Sequence, residues 1–110
     1  MRLPNGDRAH LGAKLEDYVL DPSHPDGQHK ARMFETELGV TRADANPLRR
    51  ALLAAARTSD EAEWRGDNGY GELYLLRLPV TTAERSAMVV SVWIIRHGED
   101  FPRSITCYIG

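Results

Sequence analysis

The hydrophobic pattern of this chain changes period once, near Thr58, and that change limits what it can fold into. Before Thr58 the apolar residues recur at helical spacing; after it they alternate at period two. Leu11, Leu15, Tyr18 and Val19 fall at i, i+4, i+7 and i+8, which predicts a short amphipathic helix over roughly 11–20. Asp21-Pro22 ends it. A second helix runs from about Gly27 to Leu38, with Ala31, Phe34 and Leu38 as its buried stripe and Gly39 just past its end. Thr41 with Asp44 is a helix-start signal. Asn46-Pro47 is a stronger one, predicting a third helix from Pro47 to Arg57 with Leu48, Leu52 and Ala55 on one face.

Three strands follow. Glu72 to Val80 alternates Tyr74, Leu76, Leu78 and Val80. Ala87 to Ile95 alternates Met88, Val90, Val92 and Ile94, and Ser104 to Ile109 alternates Ile105, Cys107 and Ile109. A fourth strand near Ala62 to Arg65 carries a weaker pattern. The result is a single α+β domain over 1–110: about three N-terminal helices, ending near 58, packed on one face of a C-terminal antiparallel sheet of three to four strands. The expected core joins Ile105, Cys107, Val90, Val92, Leu76, Phe34, Leu38 and Leu52. The alternate residues Ser91, Trp93, Ser104, Thr106 and Tyr108, with Arg77, then share the open sheet face. A bulge in the last strand would turn part of that set over.

Composition removes several classes of function. The formal charge is −2, so a nucleic acid would have to be met by a local basic patch. Cys107 is the sole cysteine, which excludes an internal disulfide and a cysteine-based zinc site. No apolar run approaches the ~18 residues of a membrane span, and the first residues hold no signal-type apolar core. The expected location is the cytoplasm, or the cytoplasm of a target cell into which the domain is delivered.

The densest chemistry lies between Asp21 and Phe34. Pro22, Pro25 and Gly27 fix a polar turn that opens a helix carrying His29, Lys30 and Arg32. A histidine beside fixed cations at a helix start suits proton transfer at a phosphate, and equally suits a hydrated first turn. Asp21, His24, Asp26 and His29 offer oxygen and imidazole ligands, but their spacing matches no zinc signature. No metal site and no cofactor is expected. Arg96, His97 and Arg103 flank the Gly98–Pro102 loop, where Glu99 and Asp100 offer internal ion-pair partners. On the open sheet face, hydroxyls, a stacking ring and a cation are the parts of a nucleotide-binding surface. There is no Gly-x-Ser-x-Gly and no glycine-rich phosphate loop.

Leu3-Pro4-Asn5-Gly6, Lys14-Leu15, Asp17-Tyr18, Pro22, His24-Pro25, Gly27, His29-Lys30-Ala31, Phe34, Trp93-Ile94, Gly98 to Arg103 and Thr106-Cys107-Tyr108 together resemble a family of small bacterial domains of unknown function. Such domains occur as free-standing proteins and as C-terminal modules of toxin-like or phage-associated proteins. The layout of helices before sheet also resembles the RNase toxin superfamily of barnase, EndoU, the tRNase colicins and RelE. That resemblance implies an active site on the open sheet face. His29 would be the general acid or base, Lys30 and Arg103 would stabilise the phosphorane, and Thr106 and Tyr108 would position phosphate. Arg32, Arg77, Trp93 and Arg96 would contact RNA. The chain departs from the superfamily pattern in placing His97 at a turn rather than on the sheet. The function expected is metal-independent RNA cleavage by 2′-OH transesterification, with RNA as substrate and a small cognate antitoxin or immunity protein as partner. The alternative is a non-catalytic module that binds such a partner.

Overall fold

Four strands pair antiparallel in chain order: β1 (Glu63–Asp67), β2 (Gly71–Thr81), β3 (Ser86–Arg96) and β4 (Arg103–Ile109). They are the strand half of a computed structural model that describes residues 1–83 and 85–110. The helical half comprises a five-residue π-type helix (Leu15–Val19), α1 (Gln28–Leu38) and α2 (Ala45–Thr58), with short 3-10 turns before the first and before α2. Helices pack on one face of the sheet, so the architecture is the α+β layout that the change of period implies.

Local chemistry sets the element ends. Gly39 takes a left-handed conformation (φ 69°) that closes α1, and its N–H donates to the Glu35 carbonyl at 2.9 Å. Thr41 and Asp44 form a capping box: the Thr41 N–H and hydroxyl donate to Asp44 Oδ2 at 2.9 and 3.2 Å. This starts the chain into α2 two residues ahead of Pro47. Asn46 therefore sits inside the first turn, where its side chain accepts from Arg49 at 2.8 Å. The first helix is shorter than the 11–20 periodicity predicts and is widened to π geometry, yet Leu11, Leu15, Val19 and Leu20 are all buried.

The core lies between helices and sheet. Phe34, Leu38, Leu52, Leu76 and Cys107 meet there, and Phe34 is fully buried. Burying a ring of that size contributes about 2–3 kcal/mol. The Cys107 thiol is pushed up to about 12 by burial, so it is held protonated and inert at neutral pH.

One strand faces the opposite way from its sequence pattern. In register, Tyr74, Leu76 and Leu78 oppose Trp93, Ser91 and Val89, and all of these belong to the helix-facing side. Met88, Val90, Val92 and Ile94 therefore lie on the outer face, where Val90 and Ile94 are nonetheless buried. Trp93, expected as an exposed stacking ring for RNA, is fully buried and cannot stack a base. The physical reason is Ser91. Its hydroxyl donates to the Leu76 carbonyl at 2.7 Å and accepts from the Trp93 indole N–H at 2.9 Å. A satisfied serine is as much at home in the core as an aliphatic residue, so its polarity did not mark an outer position.

The last strand does carry a bulge. Val92 pairs with Thr106 while Trp93 pairs with Ser104, leaving Ile105 unpaired between them. Ile105 leaves the core and is half-buried, and Ser104 moves to the Trp93 side of the sheet. Thr106 and Tyr108, opposite Val92 and Val90, remain on the outer face. Pro79 sits where β2 has outrun β1, an edge position that needs no N–H.

Candidate active site

A cleft of about 630 Å³ opens at the end of the sheet where β3 stops and β4 begins. The N-terminal segment forms one wall. The His10 N–H donates to the Pro102 carbonyl at 2.9 Å, and the Ser104 N–H donates to the His10 carbonyl at 2.8 Å. This single parallel bridge fixes His10 beside Arg103. The His10 ring lies 4.9 Å from the Phe101 ring, and the Arg103 guanidinium lies 4.8 Å from the same ring. Arg103 also grips Glu99 through two hydrogen bonds of 2.9 and 2.8 Å. That pair holds the Glu99 carboxyl below the usual carboxylate range, with Arg96 and His10 adding smaller effects.

Tyr18 and His24 form a further part of the wall, their rings 4.9 Å apart and edge-on. His24 Nδ1 accepts from the N–H groups of Asp26 and Gly27 at 3.0 and 3.1 Å. This assigns the proton of the neutral ring to Nε2. The Lys30 ammonium donates to the Tyr18 hydroxyl oxygen at 3.1 Å and lies 5.1 Å from its ring centroid. Tyr18 thus keeps its own O–H proton to donate elsewhere. Gly27 makes this wall possible, since a Cβ there would lie 2.0 Å from the Tyr18 carbonyl oxygen.

The cleft is cationic in an acidic chain. Lys14, Arg96 and Arg103 line it. Asp17 is the one carboxylate among its described lining residues, and it pairs with Arg42 at 3.5 Å. Lys14 and Arg96 make no ion pair among the described residues. A second lobe shares Lys14, Arg96, Arg103 and Ser104 with the first and extends the cleft to Asn68, Tyr70 and His97.

Of the residues singled out in the sequence, Arg96 and Arg103 line this cleft, and Lys30 stands behind it through Tyr18. His29 and Arg32 are exposed on α1 and do not line it. Arg77 is on the outer face, paired with Glu63. Thr106 and Tyr108 are on that outer face too, half-buried and outside the cleft, and Thr106 Oγ1 is buried without a hydrogen-bond partner among the described residues. Asp21 and His24 hold their own turn: Asp21 Oδ1 accepts from the Ser23 N–H and hydroxyl at 2.9 and 2.7 Å. No three His, Cys, Asp or Glu side chains converge as a metal site among the described residues.

His10, Lys14 and Tyr70 were not picked out as chemistry, because long-range contacts assemble them: a bridge from His10 to Arg103, and a hydrogen bond from the His97 N–H to the Tyr70 carbonyl. Tyr18 read as part of an amphipathic stripe, and His24 as one of four candidate metal ligands with Asp21, Asp26 and His29.

A family model covers residues 2–110. The chain belongs to the DUF6883 family, a domain of unknown function. No curated protein matches it in sequence. A solved structure of a contact-dependent growth inhibition toxin–immunity protein complex from Klebsiella pneumoniae 342 contains a chain of similar fold. The TM-score is 0.72 and the identity 16%, over 91% of this chain and 98% of that one. At that identity the likeness shows a shared fold.

Proposed function

We propose that this chain is a toxin-type endoribonuclease domain that cleaves RNA without a metal ion, in the cleft between His10 and Tyr18. The observation that carries the reading is the convergence of two imidazoles, a phenol and three cations on one cleft of a chain whose net charge is −2. The fold shared with a chain of a toxin–immunity complex supports the toxin-type part.

His10 is the general base. It removes the proton of a 2′-OH, whose oxygen forms a bond to the adjacent phosphorus while the bond from phosphorus to the 5′-oxygen breaks. Attacking and leaving oxygens lie in line, so a second group must serve the leaving oxygen. Tyr18 donates its O–H proton there, and the Lys30 ammonium stabilises the phenolate. Lys14, Arg96 and Arg103 neutralise the charge that builds on the phosphorane, and His24 Nε2–H donates a hydrogen bond to it. The products are a 2′,3′-cyclic phosphate and a free 5′-hydroxyl. His10 and Tyr18 then exchange protons with water.

The reading includes a small cognate immunity-type protein as partner and a target-cell cytoplasm as the place of action. Its test is incubation of the purified protein with total RNA in EDTA, followed by end-group analysis. Fragments with cyclic phosphate ends support it. Activity abolished by EDTA contradicts the metal-free mechanism. Intact RNA, with tight binding to a small cognate protein, replaces the enzyme with a binding module.

A further inference from the structure

We infer that Tyr70 is a stacking platform for a nucleobase next to the scissile phosphate, so that the substrate is a single-stranded RNA reaching into the second lobe of the cleft. This rests on the ribonuclease reading and extends it to substrate form.

Tyr70 is 77% exposed, more than any other large apolar side chain among the described residues. An exposed aromatic ring is unremarkable on a mobile loop, but its backbone here is tied down. Asn68 Oδ1 accepts from the N–H groups of Tyr70 and Gly71 at 2.9 and 3.1 Å. Asp67 Oδ1 accepts from the Gly69 N–H at 2.6 Å. Gly69 takes a left-handed conformation, φ 93°, that this turn requires. The His97 N–H donates to the Tyr70 carbonyl at 2.9 Å, and the His97 ring meets Asp67 at 2.9 Å, which joins this turn to the start of the next one. Four hydrogen bonds to the backbone and one side-chain pair thus hold the turn around a side chain that itself rests in solvent.

The surroundings define the ligand. The lobe that Tyr70 lines also contains Lys14, Arg96 and Arg103, the cations assigned above to the phosphate, together with Ser104. A phosphodiester held by these cations places the adjoining base on the Tyr70 side. A ring carried on a backbone fixed in advance stacks a base at a lower entropic cost than one on a loop that must first be ordered, and stacking accepts any base because each has a π-face. A duplex offers no base face to such a ring, so the RNA must be unpaired there.

Fluorescent, fully 2′-O-methylated oligonucleotides of two and four nucleotides lack the attacking hydroxyl, so binding is read by anisotropy without cleavage. Tyr70→Ala is expected to weaken the tetranucleotide by about 5- to 150-fold, the range for one lost stack. The dinucleotide already carries the base that adjoins its phosphate, so its loss should be comparable, and Tyr70→Phe should restore most of the affinity. Tetranucleotide affinity unchanged in Tyr70→Ala overturns the inference, and does so whether or not the wild type cleaves RNA. Ring-dependent binding by a wild-type protein that leaves unmodified RNA intact supports the platform and removes the catalytic reading. No binding of either oligonucleotide overturns both.

Discussion

Moving the Ser91 hydroxyl out of reach of Trp93 tests the sheet orientation from which the site follows. Trp93 is fully buried, and its indole N–H has Ser91 Oγ as its acceptor at 2.9 Å. Ser91→Ala leaves that N–H buried and unpaired, which costs about 1–3 kcal/mol. Trp93→Phe removes the N–H together with part of the ring and leaves Ser91 bonded to the Leu76 carbonyl. In the Trp93→Phe background, Ser91→Ala no longer strands an indole, so its cost should fall. The expected coupling is about 1 kcal/mol or more, inside the range for contacting residues. Urea denaturation of wild type, both single variants and the double variant measures it, with unchanged slopes confirming a common unfolding reaction. These mild changes are preferred to Trp93→Ala, whose cost of about 3–5 kcal/mol is a large share of a domain's stability. Additivity within about 0.3 kcal/mol would refute the buried pair and return Trp93 to the outer face.

Lys14→Ala and Arg96→Ala should each weaken oligonucleotide binding with little regard to sequence, and each should flatten the salt dependence by about one phosphate contact; an unchanged slope would remove that residue from the cleft's phosphate site. Glu99→Gln should lower the neutral-pH melting temperature by breaking the pair with Arg103. The Glu99 carboxyl is held low in the folded chain, so the unfolded chain binds more protons in acid, and this stabilisation is present above the unfolded value and lost as pH falls through the folded one. The gap between wild type and Glu99→Gln should therefore close below about pH 4, and a gap constant with pH would show that the ion pair contributes nothing.

The layer architecture was legible because the change from helical to alternating pattern is strong and each helix carries its own stop or start signal. The strand face of β3 was not. Ala87, Val89, Trp93 and Ile95 are as apolar as Met88, Val90, Val92 and Ile94, so alternation gave no direction, and Ser91 pointed the wrong way for lack of its two hidden bonds. Ile105 left the core through a bulge that no turn residue announces. Arg96 and Arg103 stood out as cations around a loop, and they do line the cleft. His10 could not be found from spacing, because its place depends on a bridge to Arg103. The stretch from Asp21 to Gly27 was recognisable as chemically dense, but the structure spends Asp21 and one nitrogen of His24 on holding the turn. Its contribution to the cleft is the other His24 nitrogen and the close seat it gives Tyr18.

The most direct test of the central claim is the cleavage rate of His10→Ala set against His29→Ala, on one defined RNA in EDTA. The account predicts that His10→Ala loses about 10²–10⁴-fold in kcat, the usual contribution of general acid–base catalysis, with its melting temperature preserved. His29→Ala, an exposed change outside the cleft, should cleave at close to the wild-type rate. A collapse of activity in His29→Ala with His10→Ala unaffected would contradict the account and move the chemistry to the start of α1.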